Sequence, residues 1–240
     1  MRTGPAVRVF PTPRDLAEEA ARSVRGVAAQ AVAQGNRFGL ALSGGRTPQD
    51  LYALLAEAGA RALPYHHMEI FWSDERAVPP DHPQSNYALA WRAWLSRAPL
   101  PAAHVHRIPV EADPQQAAAR YEAELRRVLG DPPRLDLVLL GVGRDGHTAS
   151  LFPGSPALFD DRLVAATTAP EPPQGRVTFT LRMIRLASRV LVLASGSHKA
   201  RAVRRALEDE PSTAVPASLL RWPQVCWFLD EAAAAKLARR

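Results

Sequence analysis

His147 lies in the run "GVGRDGHTASLFPG" (residues 141–154), directly behind the apolar stretch "LDLVLL". A neutral imidazole is the usual general base near neutral pH, and the carboxylate of Asp145, two residues upstream, can orient it. The same run holds Gly141, Gly143 and Gly146 in the G-x-G-x-x-G spacing of a dinucleotide site. That reading needs a helix starting inside the glycines and an acid about twenty residues on, at the end of the next strand. Pro153 and Gly154 cut the segment short, and Asp160 and Asp161 end no recognisable strand. What is left is a glycine-lined turn presenting Asp145 and His147. The bland alternative is a histidine satisfied in the core.

Anion-binding chemistry is written elsewhere along the chain. In "ALSGGRTPQDLY", Ser43, Gly44 and Gly45 precede a helix expected to begin near Thr47 and Pro48. Two glycines let backbone N–H groups approach a ligand, and a helix N-terminus favours phosphate. A plain strand-to-helix turn capped by Thr47 is the alternative. No G-K-[ST] follows, so this is not a Walker loop. In "FWSDERAVPPDHPQSNY", Asp74, Glu75 and Arg76 stand at a strand end before a proline-rich loop. Arg76 can fork onto a phosphate or carboxylate and Asp74 can hold a sugar hydroxyl; a salt-bridged corner is the competing reading. Arg176 opens the strand "RVTFT" and Lys199 opens a helix in "GSHKARAV". Lys199 is one of only two lysines among 30 basic residues, which makes a point charge on a phosphate the better reading there. His104 and His106 share one face of an expected strand "HVHRI", but no third ligand stands at helpful spacing, so no metal site is expected. A G-x-S-x-G elbow is absent.

These residues need a frame that brings distant loops together. Short apolar runs ("VRVF", "RFGLAL", "MEIFW", "HVHRI", "LDLVLL", "RVTFT", "RVLVLA", "QVCWFL") alternate with segments of helical spacing. Such alternation implies βαβ crossovers: an α/β, Rossmann-like fold, a mostly parallel sheet with helices on both faces, in a single domain over residues 1–240. "SGGRTP", "SDER", "GVGRDGH" and "SGSHK" each follow a strand's carboxyl end, the edge where ligands of parallel α/β sheets bind. Formal charge is +6 and the pI about 10.2, yet the arginines are scattered among acids, so no nucleic-acid partner is expected. The one cysteine, Cys226, excludes a disulfide within the chain. No membrane-length apolar run and no leader pattern is seen, so a soluble cytoplasmic protein is the expectation.

"LSGGRTP", "WSDERAVPPDHPQSNY", "DLVLLGVGRDGHTASLFPGS", "RVTFTL" and "GSHKA", in that order, resemble the motifs of the 6-phosphogluconolactonases. The resemblance runs from about residue 6 to 230 and implies the Rossmann-like fold shared with glucosamine-6-phosphate deaminases. It implies hydrolysis of 6-phospho-D-glucono-1,5-lactone without cofactor or metal, by a monomer or small homo-oligomer. His147 would be the base, with Ser43, Gly44, Arg176 and Lys199 on the phosphate. Arg76 would lie near the phosphate or the lactone and Gly45 beside Gly44 at the phosphate, with Asp74 and Asp145 in support. Two departures are Val142, where methionine is frequent, and Arg182, where proline is common. The deaminases carry a glutamate five residues beyond the histidine; here that position is Phe152, which favours the lactonase. A non-catalytic sugar-phosphate sensor usually follows a helix-turn-helix, and few residues precede the first strand here.

Overall fold

A computed structural model describes residues 4–111 and 113–238. Strand β1 (Ala6–Phe10) leads into helix α1 (Pro13–Ala33), whose start is fixed by a capping box. The Thr12 hydroxyl accepts the Asp15 N–H, and the Asp15 carboxylate accepts the Thr12 N–H in return. Leu16, Ala20, Val24, Val27 and Ala31 recur at helical spacing and are buried against the sheet.

The chain continues through β2 (Phe38–Leu42), α2 (Arg46–Glu57), β3 (Met68–Trp72), β4 (Asp74–Arg76), α3 (Asn86–Ala93), α4 (Pro114–Leu129) and β5 (Leu137–Gly141). It ends through β6 (Val164–Thr168), β7 (Gly175–Phe179), α5 (Leu181–Leu186), β8 (Val190–Ala194), α6 (Ala200–Glu208), β9 (Val225–Asp230) and α7 (Glu231–Ala234). Six strands form one sheet in the order β1-β9-β8-β5-β2-β3, every pair parallel. β2, β3 and β8 are buried along their whole length; β2 and β8 are unbroken apolar runs, and β3 is apolar except for Glu69. The mostly parallel α/β architecture read from the alternation is the one observed, and one contiguous core runs through it.

Three expectations fail. "SDER", expected as part of a loop behind a strand's carboxyl end, contains a strand of its own: Asp74–Arg76 is β4, the edge of a second, antiparallel sheet ordered β4-β7-β6. "RVTFT", expected within the parallel alternation, is β7 at the centre of that sheet, and β6 was not expected. "HVHRI" is no strand. After a 3-10 turn at Ala102–His104, only Val105 bridges to Ile70, and Pro109, with no N–H, cannot extend a ladder. The His106 ring is meanwhile committed sideways, to Glu69 and Glu124. Arg182 does no harm where proline is common, because α5 starts from Thr180, whose hydroxyl accepts the Met183 N–H.

Ser73 is the corner between the sheets. Its N–H continues the parallel ladder to the Leu42 carbonyl, and its carbonyl accepts the Phe179 N–H. The second sheet therefore stands beside the carboxyl edge of the first, and a cleft opens between them. No helix of the described residues is long and apolar enough to cross a membrane.

Candidate active site

Behind β5 the chain makes a tight turn. The Gly143 N–H donates to the His147 carbonyl (2.8 Å), and the Thr148 hydroxyl closes back on the Gly141 carbonyl (2.9 Å). Gly146 has φ +90°, and a Cβ there would lie 2.7 Å from Val215. A Cβ on Gly143 would lie 2.1 Å from His147 Nδ1 and 2.4 Å from Asp145 Oδ1. Glycine at 143 lets the two side chains fold over the loop, and glycine at 146 permits the positive φ and the close approach of Val215.

Asp145 Oδ1 lies 2.7 Å from His147 Nδ1 and accepts the His147 backbone N–H at 3.1 Å. An ionised carboxylate on that side accepts a hydrogen from Nδ1, so in the neutral ring Nε2 is the nitrogen left to accept. Burial works to raise the Asp145 carboxyl, but hydrogen bonding and charge from His147 outweigh it and hold the pKa below the ordinary value. The Phe152 ring packs 4.9 Å from the imidazole, centroid to centroid, and is itself nearly buried. The loop is tied to the second sheet by Ser150, whose N–H donates to Thr178 Oγ1 and whose hydroxyl donates to Asp74 Oδ2 (2.7 Å).

At the end of β2, Ser43 is gripped by Tyr52. The Ser43 N–H donates to the phenol oxygen (3.0 Å), and the phenol O–H donates to the Ser43 carbonyl (2.8 Å). Burial pushes the Tyr52 pKa up, so the phenol remains a donor. Ser43 Oγ is buried without a hydrogen-bond partner. Helix α2 begins at Arg46, not at Thr47, so Thr47 is no cap. Gly45, at φ +103°, holds the cap position with no side-chain hydrogen bond, and no acid lies in the first turn. Among the described residues no side chain caps the amides of this helix start, which lies beside the unpartnered Ser43 hydroxyl.

The salt-bridged corner does not form among the described residues. Glu75 turns away from the cleft and accepts from the Ser85 hydroxyl (3.0 Å) and the N–H groups of Asn86 (2.7 Å) and Tyr87 (2.8 Å), fastening the start of α3. Burial raises its pKa against those bonds. Asp74 is held by Ser150 and by Asn86, whose amide donates to the Asp74 carbonyl (2.9 Å) and carboxylate (3.2 Å). Arg76 and Arg176 are register partners across β4 and β7. Arg76 donates to the Gln84 carbonyl, and Arg176 to the carbonyls of Pro173 and Gly175. Burial, then the charge of Arg76, lowers the Arg176 pKa; Asp74 and Glu75 oppose that.

Behind β8, Asp230 fixes the turn by accepting the Ser195 hydroxyl (2.7 Å) and the Gly196 N–H (3.0 Å). Lys199 follows, half-buried and without an ion pair among the described residues. Burial, then the charge of Arg144, depresses its pKa, while Asp145 raises it.

One cleft of about 1370 Å³ is lined by His147, Asp145, Ser43, Gly44, Gly45, Asp74, Arg76, Arg176 and Lys199, all nine residues singled out from the sequence. A shallower hollow of about 380 Å³ beside His106 and Tyr121 contains none of them. Sequence reasoning missed Asn86 and Ser150, which hold Asp74, and Tyr52 and Asp230, which hold the turns at Ser43 and at Ser195–Gly196. Ser85 as a helix cap was a readable signal for α3, but nothing local marks the Asn86 amide. No group of three or more His, Cys, Asp or Glu among the described residues is arranged to hold a metal.

A parallel sheet with a polar cleft over its carboxyl edge, walled by a small antiparallel sheet, is a Rossmann-like α/β protein of the ligand-binding kind. The family model for glucosamine-6-phosphate isomerases/6-phosphogluconolactonase matches residues 11–227, and the chain belongs to that family. It is 41% identical over 243 residues to a 6-phosphogluconolactonase of Synechocystis, covering 97% of this chain and 98% of that one. It resembles the solved 6-phosphogluconolactonase from Trypanosoma cruzi with TM-score 0.86 and 30% identity, over 100% of this chain and 99% of that one. A solved monomeric glucosamine-6-phosphate deaminase also superposes, with TM-score 0.82 and 26% identity, over 96% of this chain and 99% of the other. The fold therefore does not choose between the two reactions.

Proposed function

We propose that the chain hydrolyses 6-phospho-D-glucono-1,5-lactone to 6-phospho-D-gluconate, the lactone step of the oxidative pentose phosphate pathway. The observation that carries the proposal is the Asp145–His147 pair, 2.7 Å apart, in the same cleft as Arg76, Arg176 and Lys199. His147 Nε2 takes a proton from water as the water oxygen bonds to C1. The tetrahedral intermediate collapses, the bond from C1 to the ring oxygen breaks, and the imidazolium returns the proton to that oxygen. The ring opens to a hydroxyl and a carboxylic acid, which ionises. Asp145 keeps the histidine in the required tautomer.

Ser43, the amides of Gly44 and Gly45, Arg176 and Lys199 hold the phosphate. Arg76 lies beside it or beside the lactone, and Asp74 serves as a positioning residue. Such contacts, remote from C1, supply orientation. Backbone N–H groups or Arg76 would carry the oxyanion, each donor worth about 3–4 kcal/mol in such reactions. Phe152 supports the lactonase over the deaminase: an apolar ring packed on His147 offers no second carboxylate for ring opening and amine chemistry.

On this reading residues 1–240 act as one catalytic domain, a monomer or small homo-oligomer in the cytoplasm. Its partner is a small sugar-phosphate lactone rather than nucleic acid or membrane. The test offers the purified protein 6-phosphogluconolactone and glucosamine 6-phosphate side by side, with the spontaneous opening rate subtracted. Acid release without ammonia is expected; ammonia release would reverse the assignment.

A further inference from the structure

The lactone carries one phosphate, and the proposed phosphate site already has a hydroxyl, helix amides, Arg176 and Lys199. Three more basic side chains stand on the solvent side of Lys199. Arg46 follows β2, Arg144 follows β5 and His198 follows β8, and these strands are adjacent in the sheet, in the order β8-β5-β2. All three residues are exposed and line the cleft, and none has a side-chain hydrogen bond or ion pair among the described residues. They stand at the carboxyl ends of three adjacent strands in one cleft, and consistently the charges of Lys199, Arg144 and Arg46 act on the His198 ring and that of Arg144 on Lys199. Charges crowded together without carboxylate partners repel one another, and an anion set among them removes that repulsion.

We propose that Arg46, Arg144 and His198 form a second phosphoryl subsite beside the first. A ligand with two linked phosphoryl groups, such as a nucleoside diphosphate, occupies both subsites and competes with the lactone. The inference rests on the phosphate assignment made above. A monophosphate satisfies Ser43, the start of α2 and Lys199; a second phosphoryl group linked to it projects toward the rim, where the two guanidinium groups can fork onto its oxygens. His198, exposed at the rim but partly desolvated and beside the charges of Lys199, Arg144 and Arg46, which lower its pKa, contributes an N–H donor.

The probes are inorganic phosphate and pyrophosphate, titrated calorimetrically without divalent cations, each also in competition with 6-phosphogluconate. Wild-type protein is expected to bind pyrophosphate roughly tenfold more tightly than phosphate, the equivalent of one charge-assisted contact. In the Arg144→Ala/His198→Ala double variant the two constants should converge, with phosphate affinity little changed. Equal affinities in the wild type would overturn the proposal. So would a variant that weakens both ions by the same factor, since the rim would then be only a diffuse positive field. Binding is read without turnover, so the two readings separate. A protein that shows the affinity gap but no lactone hydrolysis loses the activity assignment alone; one that hydrolyses the lactone without the gap loses the second subsite alone.

Discussion

Arg76 and Arg176 face each other as register partners across the β4–β7 ladder, two like charges at one sheet position. Such a pair is destabilising in a sheet, and here Arg176 is also largely buried. Backbone carbonyls of two proline-rich loops hold the guanidinium groups apart from any carboxylate. The arrangement makes sense where an anion is to be received. Arg176→Ala should raise KM for the phosphorylated lactone by about ten- to a hundredfold, the loss of one or two charge-assisted contacts, with a smaller change in kcat. Hydrolysis of unphosphorylated gluconolactone by the same variant is the control and should barely change. Equal losses on both lactones would place Arg176 outside phosphate recognition.

His147→Ala should lower kcat by about 10²- to 10⁴-fold with KM largely kept, the usual worth of a positioned base. Asp145→Asn tests the orienting role separately. An amide no longer enforces a hydrogen on Nδ1, so a share of molecules presents Nε2–H to the water and cannot accept its proton. Stopped-flow rates, corrected for spontaneous opening, should show a large kcat loss with the thermal midpoint nearly unchanged. An Asp145→Asn enzyme at wild-type speed would leave Asp145 with no part in catalysis.

Gly143→Ala separates site from fold. The added methyl falls 2.1 Å from His147 Nδ1 and 2.4 Å from Asp145 Oδ1, closer than atoms can approach. Both obstacles are side chains that can swing into the cleft, so the strain is relieved by displacing the pair rather than the backbone. A shift of about 1 Å in a reacting group is enough to cost roughly a hundredfold in rate. Activity should therefore fall steeply while circular dichroism and thermal midpoint stay close to wild type. A variant that unfolds instead would show that the turn, not the dyad, needs this glycine.

The site was legible because its signals are local. Each site loop directly follows an apolar run, and in a parallel sheet all such loops share one edge, so strand order was not needed to bring Ser43, His147 and Lys199 together. The second sheet was hidden for the opposite reason. β4 reads "DER", and nothing in three charged residues announces a buried strand; Glu75 can be buried there only because α3 supplies N–H groups from residues 86 and 87. β6 was equally hidden, its antiparallel partner being a strand that reads as parallel. Asn86 on Asp74 and Ser150 on Asp74 are tertiary pairings across 12 and 76 positions, which carry no sequence period at all.

Away from the cleft, His106 bridges two carboxylates, with Nε2 2.8 Å from Glu69 and Nδ1 2.7 Å from Glu124. Arg127 forks onto Glu124 at 2.6 and 2.7 Å. The Arg127 hydrogen bonds, against the opposing effect of burial and with help from His106, bring the Glu124 pKa down from 4.5 to about 2. A carboxyl whose folded pKa is depressed stabilises the fold above its unfolded value, and that stabilisation is lost as pH falls toward the folded value. The window here is pH 4.5 down to about 2. Glu124 is only half-buried, so solvent screening limits the contribution to about 1 kcal/mol. Glu124→Gln preserves shape and one acceptor, removes the charge and turns the second acceptor into a donor, much as protonation of the carboxyl does. At neutral pH its thermal midpoint should lie about 2–4 °C below wild type for a chain of this size. The gap should narrow below pH 4.5 and close toward pH 2 in paired melts across that range. A gap independent of pH would mean that Glu124 contributes through packing and not through its charge.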